Sequence, residues 1–230
     1  MDSDIEPMGL AVVTGATSGI GLELARELGS RGFDLLLVAE DPGIEFVART
    51  LRSGDSEADA IQVDLATAEG VEEVYASVVE RGEQVEVLVL SAGTAPSGSF
   101  LCTSLESELD LVRLNCLAMV HLAKRLVPAM VNAGSGHVII APSPAEDGAD
   151  QLESVCDAAR AFQYSFARAI AKELEHTGVT FTLLVPGGAD PVDVARKTVD
   201  DILTERIDFI PSWKYRTPVA AAPGSSTPSV

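Results

Sequence analysis

The sequence predicts a single α/β domain: a doubly wound parallel sheet of about seven strands with helices on both faces. Three observations predict it. Apolar runs at Leu10–Thr14, Phe33–Ala39, Ala60–Val63, Val85–Leu90, His137–Ala141, Val179–Val185 and Ile207–Ile210 alternate with helical patterns near 19–31, 42–53, 68–81, 104–131, 154–177 and 191–204. With 230 residues, 47% of them hydrophobic, the chain is long enough for one substantial core. Finally, the first apolar run leads through Thr14-Gly15-Ala16-Thr17-Ser18-Gly19-Ile20-Gly21 into the amphipathic Leu22–Leu28, a strand, a glycine-rich turn and a helix in direct succession.

The glycine turn carries the first functional signal. Gly15 suits a tight turn, Gly19 allows backbone N–H groups to approach a pyrophosphate, and Gly21 allows the helix to pack closely. Together with Thr17, Ser18 and Ile20 these residues form a candidate dinucleotide cradle in a Rossmann architecture. The second strand ends in Glu40-Asp41. Two carboxylates there repel a 2′-phosphate and accept hydrogen bonds from ribose hydroxyls, which favours NAD over NADP. The same pair also reads as ordinary solvated loop acids of a very acidic chain.

The spacing TGxxxGIG, and the text that follows it in order, resembles the short-chain dehydrogenase/reductase family over roughly residues 8 to 216. The resemblance implies that Asp64-Leu65 face the adenine, that Ser91-Ala92-Gly93 form the turn after the fourth strand, and that Pro186-Gly187 border the nicotinamide. In that turn Leu90 and Ser91 stand where the family has two asparagines. Asn115 matches the helix asparagine that helps hold a water in a proton relay. The family's catalytic serine maps to Ser143, held between Pro142 and Pro144.

The resemblance fails where the chemistry is expected. The family's relay uses a tyrosine and, four residues later, a lysine on the same helix face. In this register those positions hold Cys156 and Arg160. A thiol beside Arg160 would have a lowered pKa, but its sulfur sits directly on Cβ and does not reach where a phenol oxygen would. Cys156 also reads as a small buried core residue. Arg160 can bind ribose or phosphate, but its fork is bulkier than a lysine and always charged. Tyr164 and Arg168 repeat the spacing two turns further on, about 12 Å along the helix, so Tyr164 is read as packing. Between Pro186-Gly187 and the helical pattern at Pro191 there is room for only a short substrate lid, which predicts an open cleft that excludes water poorly.

Composition narrows the functions further. A formal net charge of −19 disfavours nucleic acid as a partner. The acidic residues 1–7 read as an extension rather than a targeting signal, no membrane-spanning run is expected, and the location implied is cytoplasmic. Neither the three cysteines nor the three histidines show metal-ligand spacing, and no metal is predicted. Residues 217–230, rich in Pro, Ala and Ser, read as a disordered tail. The long helices near 104–131 and 154–177 resemble the family's dimer helices, so a homodimer or homotetramer is expected, or a heteromer with a catalytically intact relative. Two functional readings follow. The chain is a divergent dinucleotide-binding member acting on a small-molecule substrate, as an atypical oxidoreductase or in non-redox chemistry (dehydration, isomerisation, cyclisation). Alternatively, it is a catalytically inactive structural or regulatory subunit.

Overall fold

The computed structural model describes residues 8–52, 56–96, 98–142, 154–184 and 189–204. Its strands are β1 (Leu10–Thr14), β2 (Asp34–Ala39), β3 (Ala58–Gln62), β4 (Val85–Leu90), β5 (Gly136–Ile140) and β6 (Val179–Leu183). All pair in parallel in the order β3-β2-β1-β4-β5-β6. This is the expected α/β sandwich, with six strands among the described residues. The seventh expected strand, Ile207–Ile210, lies outside them, as do the extension 1–7 and the tail 217–230.

The helices are α1 (Gly19–Ser30), α2 (Ile44–Leu51), α3 (Ala68–Arg81), α4 (Leu105–Val112), α5 (Met119–Ala133), α6 (Ser154–Glu173) and α7 (Pro191–Leu203). They form two layers because the strands alternate their side chains. Leu10 and Val12 of β1 join one apolar cluster with Val74 of α3, Leu122 of α5 and Ala167 of α6. Ala11 and Val13 face the other way, toward Leu24 of α1, Ala48 of α2 and Val199 of α7. Continuous apolar strands buried on both faces are what a covered parallel sheet requires.

Two expectations needed correction. The helix read over 104–131 is not uniform: α4 and α5 are joined by a π turn, Arg113–Ala118. β3 begins at Ala58 rather than Ala60, because Ala58 pairs with Leu35 and the polar Asp59 is accommodated at the sheet edge by ion pairs to Arg52 and Arg81. Edge strands are commonly protected by charge in this way. The rod Leu105–Ala133 is also long and apolar enough to cross a membrane by length and composition. Half of its most apolar window is buried in the fold, where Leu111, Met119, Leu122 and Leu126 pack, so the core accounts for that apolarity.

The sheet order places the crossover between β1 and β4. Chains leave those two neighbouring strands toward opposite faces, opening a crevice beyond their carboxyl ends. Thr14 builds its floor. Its buried hydroxyl donates to the Val89 carbonyl at 3.1 Å and accepts from the N–H groups of Ser91 and Ala92, each at 3.0 Å.

Candidate dinucleotide cleft and active site

The crevice is a cleft of about 370 Å³. Its walls come from the glycine turn (Gly15, Thr17, Ser18, Gly19, Ile20), the end of β2 (Glu40, Asp41), the β3 exit (Asp64, Leu65) and the β4 exit (Ser91, Ala92, Gly93, Thr94). Leu114, Ala141 and Pro142 close its far end. The structure thus brings together most of the cofactor-binding residues expected from sequence.

The glycines are explained by distance. A Cβ on Gly15 would stand 2.7 Å from the Ser91 carbonyl oxygen, and one on Gly21 would run into the Gly15 carbonyl. The first turn of α1 therefore sits directly on the strand exits only because both side chains are absent. Gly19 differs: it has φ of +54°, and a Cβ there would meet nothing within 4 Å. Its constraint is the left-handed backbone, which turns the start of α1 toward the cleft.

That helix start is bare. Among the described residues no side chain caps α1 at Ser18, and its first turn holds no acid. By contrast α3, α4 and α7 are capped by Thr67, Ser104 and Asp190. Uncapped N–H groups at the positive end of a helix dipole form a site for an anion. A cradle too tight for a Cβ at Gly15 or Gly21, ending in orphan donors, fits the pyrophosphate of a dinucleotide.

At the other end the wall is acidic. Glu40, Asp41 and Asp64 line it, and no basic residue does so among the described residues. Asp41 accepts from Gly43 N–H at 2.6 Å and Asp64 from Ala66 N–H at 2.8 Å, so each has one oxygen tied to its own turn. The Glu40 carbonyl accepts from Gln62 Nε2 at 3.0 Å.

The residues expected to do chemistry are placed differently. Asn115 is 1% exposed, and its side chain is engaged with the cleft wall: Oδ1 accepts from Thr94 N–H at 2.9 Å while Nδ2 donates to the Thr94 carbonyl at 2.8 Å. Cys156, 1% exposed, lies in a small apolar cluster with Leu111, Cys116 and Ala159. Burial also pushes the Cys116 thiol above its ordinary pKa, because desolvation disfavours the thiolate. Arg160 is buried and pairs through Nη2 with Asp157 at 2.7 Å. Neither Cys156 nor Arg160 belongs to the described lining of the cleft. Tyr164 is buried. Ser143, Pro186 and Gly187 lie outside the described residues. Sequence reasoning missed the Thr14 hub, whose signal is a hydroxyl ending an apolar run, and Gln163, a buried polar side chain on the inward face of α6.

Fold and cleft define the class as a Rossmann-type protein with a dinucleotide-shaped crevice at the switch point. The short chain dehydrogenase profile matches residues 9–202, and the chain belongs to that family. A Streptomyces coelicolor protein assigned as a ketoacyl reductase is 34% identical over 182 residues, 77% of this chain and 69% of that protein. Among solved structures, a metagenomic short-chain oxidoreductase in complex with NADP superposes with a TM-score of 0.76 at 29% identity, covering 85% of this chain and 90% of its own. The L-sorbose reductase of Gluconobacter frateurii, complexed with NADPH and L-sorbose, gives 0.73 at 28% identity, covering 85% and 76%. The chain is thus an oxidoreductase-like member of this family, and both of these solved relatives hold a nicotinamide cofactor.

Proposed function

We propose that this protein binds a nicotinamide dinucleotide, NAD in preference to NADP, and acts on a small-molecule metabolite without the family's tyrosine–lysine relay. The observation that carries this is the bare start of α1 above Gly15, Gly19 and Gly21. The cofactor, when bound, would supply or accept a hydride. Of the residues on this chain, Thr17, Ser18, Gly19 and Ile20 would hold the pyrophosphate, Asp64 and Leu65 would meet the adenine, and Ser91, Ala92 and Gly93 would form the opposite wall.

Cofactor choice rests on charge. A 2′-phosphate placed beside Glu40 meets carboxylates and, among the described residues, no lining cation, whereas ribose hydroxyls can donate to Glu40. This departs from the NADP and NADPH bound by the two solved relatives, so it is the sharper claim. Glu40→Arg supplies a guanidinium and should reverse the order, with NADPH gaining about tenfold or more over NADH. Unchanged preference in that variant would refute the role of Glu40.

For chemistry, Cys156 and Arg160 stand where the family has tyrosine and lysine, and Ser143 where it has serine. A Cys156 thiol that is 1% exposed is poorly placed to pass a proton to a substrate in the cleft. This supports either non-redox work on a bound metabolite or an oxidoreductase whose proton comes from another source. Association, as a homodimer or beside an intact relative, is favoured by one further observation. Leu105, Leu109 and Leu117 on the α4–α5 rod and Phe162 on α6 are exposed, at 75%, 40%, 59% and 43%. Sedimentation, with and without Leu117→Glu, tests it: a dimer that the variant splits supports the reading, and a monomeric wild type removes it.

A further inference from the structure

The α4–α5 rod changes pitch in the π turn Arg113–Ala118, where the regular i→i−4 ladder is interrupted. Within that turn the Asn115 carbonyl accepts a hydrogen bond from Gln163 Nε2 on α6 at 2.9 Å, with both residues buried. The amide has one sensible orientation, because the flipped form would oppose two acceptors. The Asn115 side chain at the same time holds both backbone groups of Thr94, a residue of the cleft wall. Gln163, Asn115 and Thr94 therefore form a continuous hydrogen-bonded path from α6 to the cleft, although Gln163 does not belong to the described lining.

We propose that Gln163 is a positioning residue: it fixes the π turn so that Asn115 keeps Ser91–Thr94 in place as the wall against which the dinucleotide lies. The consequence for ligand binding rests on the dinucleotide reading given above, but the consequence for Thr94 does not. Gln163→Leu preserves bulk, removes the donor and leaves a buried carbonyl unsatisfied. The π turn then relaxes toward ordinary helical pitch, and such a shift rotates Asn115 away from Thr94. Gln163→Glu is the conservative partner. Its protonated carboxyl still donates to the Asn115 carbonyl, whereas the ionised form places a negative charge against it.

Two measurements on the full chain decide the matter. Amide hydrogen exchange reads Thr94 directly, with Val12 and Val89 in the central strands as internal controls. In Gln163→Leu, Thr94 exchange should accelerate by about tenfold with the controls unchanged, and NADH affinity should fall by a similar factor. Gln163→Glu should bind NADH like wild type at about pH 5.5 and like Gln163→Leu at about pH 8.5, after subtraction of the wild-type pH profile. Unchanged Thr94 exchange in Gln163→Leu would overturn the proposal. If Gln163→Leu does not fold, Thr94 exchange in Gln163→Met, which also lacks the donor, decides instead by the same criterion. If wild type binds neither NADH nor NADPH, the dinucleotide reading fails while Thr94 exchange still settles what Gln163 does.

Discussion

The two ends of the α1-to-α6 layer cake treat their polar groups in opposite ways. At the glycine turn, the start of α1 leaves its N–H donors without a side-chain cap and turns them toward the cleft. At α6, Arg160 pairs with Asp157, Gln163 with the Asn115 carbonyl, and Asn115 with Thr94, all turned inward or along the helix. Orphan donors are expensive unless water or a ligand meets them, whereas buried groups that hold hydrogen bonds help to specify a rigid wall, although Gln163 Oε1 is buried without a hydrogen-bond partner among the described residues. The difference teaches that the glycine turn is left open toward the cleft, whereas Cys156, Arg160 and Gln163 of α6 are buried in the packing.

Substitutions that attack the cradle should have the largest effect. Gly21→Val places two methyl groups against the Gly15 turn and the Ser91 hydroxyl, so it should abolish dinucleotide binding and destabilise the fold by about 1–3 kcal/mol. Calorimetry and a denaturant titration read both. Next comes Asn115→Leu, which removes both side-chain hydrogen bonds to the Thr94 backbone and leaves those groups of an exposed residue to water. A loss of about 2 kcal/mol is expected from urea unfolding, with weakened cofactor affinity. Cys156→Ala sharpens the contrast from the other side: it should cost about 1 kcal/mol through lost packing beside Leu111 and Ala159, and leave NADH affinity within twofold of wild type. A large loss of affinity would move Cys156 back into the binding site.

Thiol reactivity gives the mildest probe of the same boundary. Cys102 is exposed, whereas Cys116 and Cys156 are buried, and desolvation holds the Cys116 thiol protonated to higher pH than an ordinary cysteine. Brief alkylation at about pH 8 followed by peptide mapping should therefore modify Cys102 first, with the other two reacting only after unfolding. Rapid labelling of Cys156 in the folded protein would show that α6 presents it to solvent after all.

The cradle was legible in the sequence because each of its requirements is written in a single residue: a missing side chain at Gly15 and Gly21, and a left-handed backbone at Gly19. The strands were legible because short, continuous, largely β-branched or leucine-rich apolar runs alternate with longer helical patterns. The π turn was not, since RLNCLA keeps the apolar spacing of a helix and the extra residue per turn leaves no compositional mark. Cys156 was legible as a small buried residue, and it is one, whereas the residue type of Arg160 did not show its burial, which depends on how α6 lies against α4 and the π turn. Gln163 left a usable signal: seven residues beyond Cys156, it repeats the inward face of α6, where a polar side chain demands a partner.

The central claim is that the cleft remains a dinucleotide site with an acidic ribose end. The measurement that tests it most directly is a fluorescence titration of the purified full chain with NADH and, separately, NADPH. The account predicts saturable binding of NADH, tighter than NADPH by about tenfold. Saturation with neither at millimolar concentration would contradict the cradle itself, and tighter binding of NADPH would contradict the assignment of Glu40.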